Sequence, residues 1–258
     1  MQTVSIRGRK LSYQARPEHI DQSVLTAVFI PGTGGDSEDW RGQLDGLSDL
    51  VNVVAVDLPG HGLSDPPGER SVGAYSEWVV DLVEALGLKK VMLIGCSLGG
   101  AIAQWVALTG KPWLKAIGLV GTGSRLRVLP ALLDGLYQDR EKGITMISAF
   151  CVSTSAEESV RKMIEGKLLR NTADLIHGDL SACNEFDVIK RLSEISIPTW
   201  ILVGQDDRLT PVKYSQFLRD NIAGATLDVV EGAGHLAMVE KPEEFNRLLR
   251  GFISRLST

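Results

Sequence analysis

The chain has 258 residues, 44% of them hydrophobic and 23% charged, with a formal net charge of −5. Such a composition excludes intrinsic disorder, and a chain of this length can bury a sizeable core without disulfide or metal staples. The mild acidic excess argues against nucleic acid or an anionic membrane as partner, since both call for a basic patch.

In chain order, Thr3–Arg16 turns at Gly8–Arg9 and reads as a hairpin that places an antiparallel strand at a sheet edge. It lacks the long apolar stretch of a secretory signal, so a cytoplasmic protein is expected. Ala27–Ile30, Val53–Val56, Val91–Ile94 and Ala116–Val120 are short β-rich runs, most of them ending at a Gly or Pro turn. Separated by amphipathic segments, they predict a mainly parallel sheet with helices on both faces. The stretch between Lys90 and Lys111 carries no charge and is long enough to span a bilayer. Gly95, Ser97, Gly99, Gly100 and Gln104 break it, so a buried strand before a turn is expected and no membrane span.

After Gly121 the rhythm changes. Leu129, Leu132, Leu133 and Leu136 share a helical face, and Ser155-Ala-Glu-Glu158 is a capping-box pattern ahead of Val160, Met163, Ile164 and Leu168. Residues 124–195 thus read as a helical insertion within a core of residues 1–123 and 196–258. Strand signals return at Thr199–Val203 and Thr226–Val230. The last helix opens on Pro242, Glu243 and Glu244, and Phe245, Leu248, Leu249, Phe252, Ile253 and Leu256 form its apolar stripe.

The strongest chemical signal is Gly95-Cys96-Ser97-Leu98-Gly99, directly after the strand Val91–Ile94 and before the helical pattern Ala101–Leu108. G-x-S-x-G in a strand–turn–helix context is a nucleophile elbow: small neighbours admit a strained turn that projects the serine oxygen at a helix N-terminus. A serine needs a base. Of four histidines, His19 and His177 lie in the edge region and the insertion, and His61, in Asp57-Leu-Pro-Gly-His-Gly-Leu-Ser64, reads as fixing loop geometry. His235 lies between the last strand and the last helix, at a strand's carboxyl end, where open α/β sheets place their sites. Asp206 and Asp207 follow the strand ending at Val203, and either supplies the carboxylate such a base requires. Pro31-Gly-Thr-Gly-Gly35 lets backbone amides approach a developing oxyanion. Dinucleotide loops are excluded, because Ser37 and Leu126 stand where the third glycine belongs. With only Cys96, Cys151 and Cys183, no C-x-x-C, no P-loop and no H-E-x-x-H, neither a disulfide framework, a metal nor a cofactor is expected.

These motifs, with Trp40 beyond the first loop and GAGHLAMVEKPEEF at the end, resemble in order and spacing the α/β-hydrolase superfamily, in its lid-bearing esterases, lactonases and carbon–carbon hydrolases. The resemblance implies an α/β-hydrolase fold: an eight-stranded, mostly parallel sheet whose second strand is antiparallel, with the helical cap after strand six. It also implies Ser97 as nucleophile, Asp207 rather than Asp206 as acid, His235 as base, and the amides of Leu98 and Thr33 as the oxyanion hole. Pro31 stands where the family commonly has histidine, which leaves Gly32 and Gly34 as alternatives to Thr33. Trp40, Arg125 and Arg127 are expected to contact substrate.

The expected activity is cofactor-independent serine hydrolysis of a small-molecule carboxylic ester, or a related lactone or thioester, through an acyl-enzyme. The rivals are carbon–carbon hydrolysis of a ring-cleavage diketone by the same triad, cofactor-free perhydrolysis, and a non-catalytic small-molecule receptor on the same fold.

Overall fold

The computed structural model describes residues 1–256, apart from the side chains of residues 131 and 134. Residues 257 and 258, assigned to the core from sequence, lie outside the described residues. Strands β1 (Gln2–Ile6) and β2 (Arg9–Arg16) form the opening hairpin. Its two-residue turn is Arg7–Gly8, both at positive φ, one residue earlier than the sequence suggests. Paired positive φ values match the right-handed twist of the strands they join.

Six more strands follow: β3 (Thr26–Ile30), β4 (Asn52–Val56), β5 (Val91–Cys96), β6 (Leu114–Val120), β7 (Thr199–Gly204) and β8 (Thr226–Val230). Together they make one eight-stranded sheet in the order β1-β2-β4-β3-β5-β6-β7-β8. Only β2 runs against the rest, antiparallel to both β1 and β4. The edge position therefore belongs to β1 and the antiparallel strand lies one place in. This is the α/β-hydrolase fold.

Alternate side chains of β3 point to opposite faces. Val28 and Ile30 join one apolar cluster with α2 (Val72–Ala85), α3 (Leu98–Ala107) and α8 (Val212–Asn221). Ala27 and Phe29 join the other with α1 (Arg41–Leu47), α9 (Ala237–Glu240) and α10 (Pro242–Leu256). Burial on both faces is why the central strands read as unbroken apolar runs.

Trp40 belongs to the second cluster. It is fully buried, its ring centroid 4.7 Å from that of Phe29 in a tilted contact and 5.9 Å from that of Phe245 in an edge-on one. The expected substrate contact is thus corrected: the indole is core beneath the sheet and does not line the cavity described below. Trp40→Ala should cost about 3–5 kcal/mol by cavity formation. Urea unfolding measures that loss, while KM of the folded fraction should stay unchanged.

Between β6 and β7 lie α4 (Pro130–Gln138), α5 (Arg140–Cys151), α6 (Glu158–Arg170) and α7 (Ala173–Glu185), around their own apolar cluster. The capping box expected at Ser155 does not form. α6 starts at Glu158 with no side-chain cap, and Ser155 bonds Ser153 instead. A reciprocal box occurs at Asp36 and Asp39, ahead of a short 3₁₀ turn.

Candidate active site

Strand order places the site. The chain leaves β3 toward β4 on one side and returns through β5 on the other, so the loops after β3 and β5 diverge at a topological switch point, where open α/β sheets bind ligands. Ile30 pairs with Gly95, which sets the loop from Pro31 beside the elbow.

Ser97 has φ 53 and ψ −113, a strained conformation for a residue with a side chain. The surrounding glycines make that turn possible. A Cβ on Gly95 would run into the backbone of Gly99, and one on Gly99 would strike the carbonyls of Ile30 and Pro31. The turn is anchored by the Ser97 amide donating to Val120 O at 3.0 Å and by Thr122 Oγ1 donating to Ser97 O at 2.9 Å. Leu98 is the first residue of α3, so its amide has no intrahelical acceptor and faces outward at the positive end of the dipole.

His235 Nδ1 lies 2.9 Å from Asp207 Oδ2. A carboxylate accepts only, so Nδ1 carries a proton in this pair. Asp207 also receives the amides of Leu209 and Thr210, at 2.9 and 2.8 Å, and the Thr210 hydroxyl at 2.7 Å. Burial alone would raise this carboxyl, but the facing imidazole and these hydrogen bonds outweigh it and hold it below its ordinary value. Asp206 turns elsewhere, accepting Ser153 Oγ at 2.7 Å. Glu240, in the motif that carries the histidine, accepts the amides of Gly234 at 2.9 Å and Ser153 at 2.8 Å. The histidine loop and the end of α5 are thereby tied to one carboxylate.

Ser97, His235, Gly32 and Thr33 line a cavity of about 360 Å³. Its apolar wall comes from the segment between β6 and β7, through Leu129, Leu132, Met146, Ile147, Phe150 and Ile164. Leu136 and Ile144, on the same helices, turn into that segment's own core. Arg127 reaches the cavity rim and donates to Asn184 O at 3.0 Å. Arg125 does not reach it. Its guanidinium is exposed and paired with Asp187 at 2.5 Å, which corrects the expected substrate contact. Among the alternatives to Thr33, the Gly34 amide is already spent on Asp179 Oδ2 at 2.9 Å.

Lys167, Asp179 and Tyr75 escaped the sequence reading, which gave His61 only a role in fixing loop geometry. Lys167 of α6 bridges Asp36 at 2.7 Å and Asp39 at 2.5 Å at the cavity wall. His61 is fully buried against Asp179 of α7 at 2.8 Å, and Tyr75 donates to the other oxygen of the same carboxylate at 2.6 Å. Thr210 and Glu240 lie within motifs that were legible; nothing local marks Asp179 or Lys167.

Cys96, Cys151 and Cys183 are free, buried thiols. Burial, chiefly, pushes Cys151 and Cys183 up to about 12. Among the described residues, no helix is long and apolar enough to cross a membrane, and no group of three or more His, Cys, Asp or Glu could hold a metal ion.

Comparison with known proteins adds four findings. Residues 27–248 match the model of the Alpha/beta hydrolase family. The chain is 27% identical over 239 residues to 3-oxoadipate enol-lactonase 2 of Acinetobacter baylyi, covering 89% of each chain. It is 28% identical to 2-hydroxy-6-oxononadienedioate/2-hydroxy-6-oxononatrienedioate hydrolase 2 of Pseudomonas putida, covering 96% of this chain and 94% of that one. Among solved structures, a thermophilic esterase superposes with a TM-score of 0.87 at 33% identity, covering 99% of this chain and 97% of that one.

Proposed function

The chain belongs to the Alpha/beta hydrolase family and is a hydrolase; from that premise we propose that it cleaves small carboxylic esters, lactones included, through Ser97, His235 and Asp207. The observation that carries this reading is one apolar cavity holding both the strained Ser97 and a His235 whose Nδ1 is bonded to a buried carboxylate. Residues 124–195 act as a cap over a core formed by 1–123 and 196–258.

In this mechanism His235 Nε2 takes the Ser97 proton as the serine oxygen attacks the carbonyl carbon. The amides of Leu98 and Thr33 hold the resulting oxyanion. The tetrahedral intermediate collapses, the alkoxide leaves with the proton from His235, and an acyl-serine remains. Water then gives its proton to His235 and attacks the acyl-serine. The acid departs and Ser97 regains its proton. Asp207 fixes the imidazole tautomer and balances the imidazolium in both halves.

The cavity volume lies near the lower end of the ~300–1,000 Å³ of ordinary ligand pockets, and its wall is mostly aliphatic. Short-to-medium apolar acyl groups are the expected substrates. Turnover of p-nitrophenyl esters of rising acyl length should peak at short or medium chains and then fall. A rate that climbs to long chains and jumps at the micellar threshold would identify a lipase instead. A second reading, carbon–carbon hydrolysis, is favoured by the 28% identity to the Pseudomonas putida hydrolase. It requires turnover of a vinylogous diketone above that of the best ester.

A further inference from the structure

Resting on the reading of the loop after β3 as the oxyanion cradle, we propose that the cap completes that cradle: Asp179 and Asn171 are positioning residues that hold the Thr33 amide in place by gripping both polar groups of Gly34. Thr33 and Gly34 are the central residues of a turn closed by the Gly35 amide on Gly32 O at 3.0 Å. Gly34 has φ +64, the left-handed value that a type II turn requires at its third residue. Both backbone groups of this glycine go to the cap. Its N–H donates to Asp179 Oδ2 at 2.9 Å, and its C=O accepts Asn171 Nδ2 at 2.8 Å. A Cβ here would strike Ile176 and Leu168, which are also cap side chains. The turn that carries the Thr33 amide is therefore shaped from above, by residues some 140 positions away in sequence.

Asp179 is itself pinned to the core. His61 Nε2 faces its Oδ2 at 2.8 Å, and His61 Nδ1 faces Pro59 O at 3.0 Å. Both ring nitrogens face acceptors, so the buried ring carries both protons. Tyr75 of α2 donates to Asp179 Oδ1, and Asp57, on the loop before His61, adds negative charge. Burial works against the charged ring, yet these carboxylates leave it more basic than an ordinary imidazole. One cap carboxylate thus docks on a core imidazolium and delivers the same oxygen to Gly34. Seating the cap and shaping the oxyanion turn become a single event. A displaced cap takes the cradle apart, while the Ser97 turn stays anchored on Val120 and Thr122.

The test compares Asn171→Ala, Asp179→Ala and Asp179→Asn with wild type. It measures kcat and KM on a short p-nitrophenyl ester, and affinity for a trifluoromethyl ketone, which forms an anionic tetrahedral adduct, against its methyl ketone, which does not. Losing one oxyanion donor costs about 10²–10³ in kcat, and a misplaced donor should cost on the order of tenfold or more. Asn171→Ala and Asp179→Ala should lower kcat by that amount with KM little changed, and weaken the trifluoromethyl ketone by a matching factor while sparing the methyl ketone. Asp179→Asn keeps an acceptor for Gly34 and should restore part of kcat. If Asp179→Ala does not fold, Asn171→Ala, which leaves the buried pair intact, decides alone. Unchanged kcat and adduct affinity in folded variants would overturn the proposal, as would equal weakening of both ketones. A wild type that a fluorophosphonate fails to label overturns the hydrolase reading and this proposal with it; a labelled wild type with unaffected variants overturns this proposal alone.

Discussion

Ser97→Ala should abolish ester turnover and remove the single site of fluorophosphonate labelling. The serine sits at φ 53 at the head of α3, where its oxygen meets the cavity and the amide of Leu98 lies open beside it. No hydroxyl in the variant can form the acyl-enzyme, and knocking out the serine or histidine of a triad costs on the order of 10⁶ in kcat. The fold should survive, since alanine tolerates the position no worse than serine and no hydrogen bond from the Ser97 hydroxyl holds the turn. A probe that labels both proteins equally would place the nucleophile elsewhere. His235→Ala should lose turnover to a similar degree, because the residues of a triad act as a unit. An active His235→Ala alongside a dead His61→Ala would move the base to the other histidine.

Asp207→Asn should cost about 10⁴ in kcat, because an amide in place of the carboxylate lets Nδ1 face an N–H donor and turns the imidazole to the wrong tautomer. Asp206→Asn should cost far less, since that carboxylate bonds Ser153 and not the histidine. The reverse ranking in two folded variants would refute the assignment. Acid stability offers an independent check. The Asp207 carboxyl is held below its ordinary value of 3.8, so its contribution to stability is fully present above that pH and is lost as pH falls through the depressed folded value. Unfolding free energy measured from pH 5 downward should decline less steeply for Asp207→Asn than for wild type.

Legibility from sequence followed locality. The elbow could be read because strand, turn and helix are contiguous between Val91 and Ala107 and the turn demands glycine on both sides. The strands of the central sheet were equally plain, their runs being apolar on both faces. Trp40 misled because an aromatic just beyond a functional loop looks the same whether it points to the cavity or beneath the sheet; only packing against Phe29 and Phe245 decides. Arg125 misled for a related reason, its partner Asp187 lying 62 residues away. At Ser155 a cap pattern lost to another contact, as the Ser155 hydroxyl pairs with that of Ser153, which in turn donates to Asp206.

The sequence by itself determined the fold family, the chain order of the elbow, acid and histidine loops, and the helical character of the insertion, because each is written in short-range spacing and periodicity. Tertiary structure alone decided that the Gly34 amide and carbonyl are taken by Asp179 and Asn171, from the segment between β6 and β7. That grip depends on residues 34, 61, 75, 171 and 179 converging in one cluster. Hydrogen bonds between buried partners form over about 3 Å whatever the sequence separation, so no local pattern announces them.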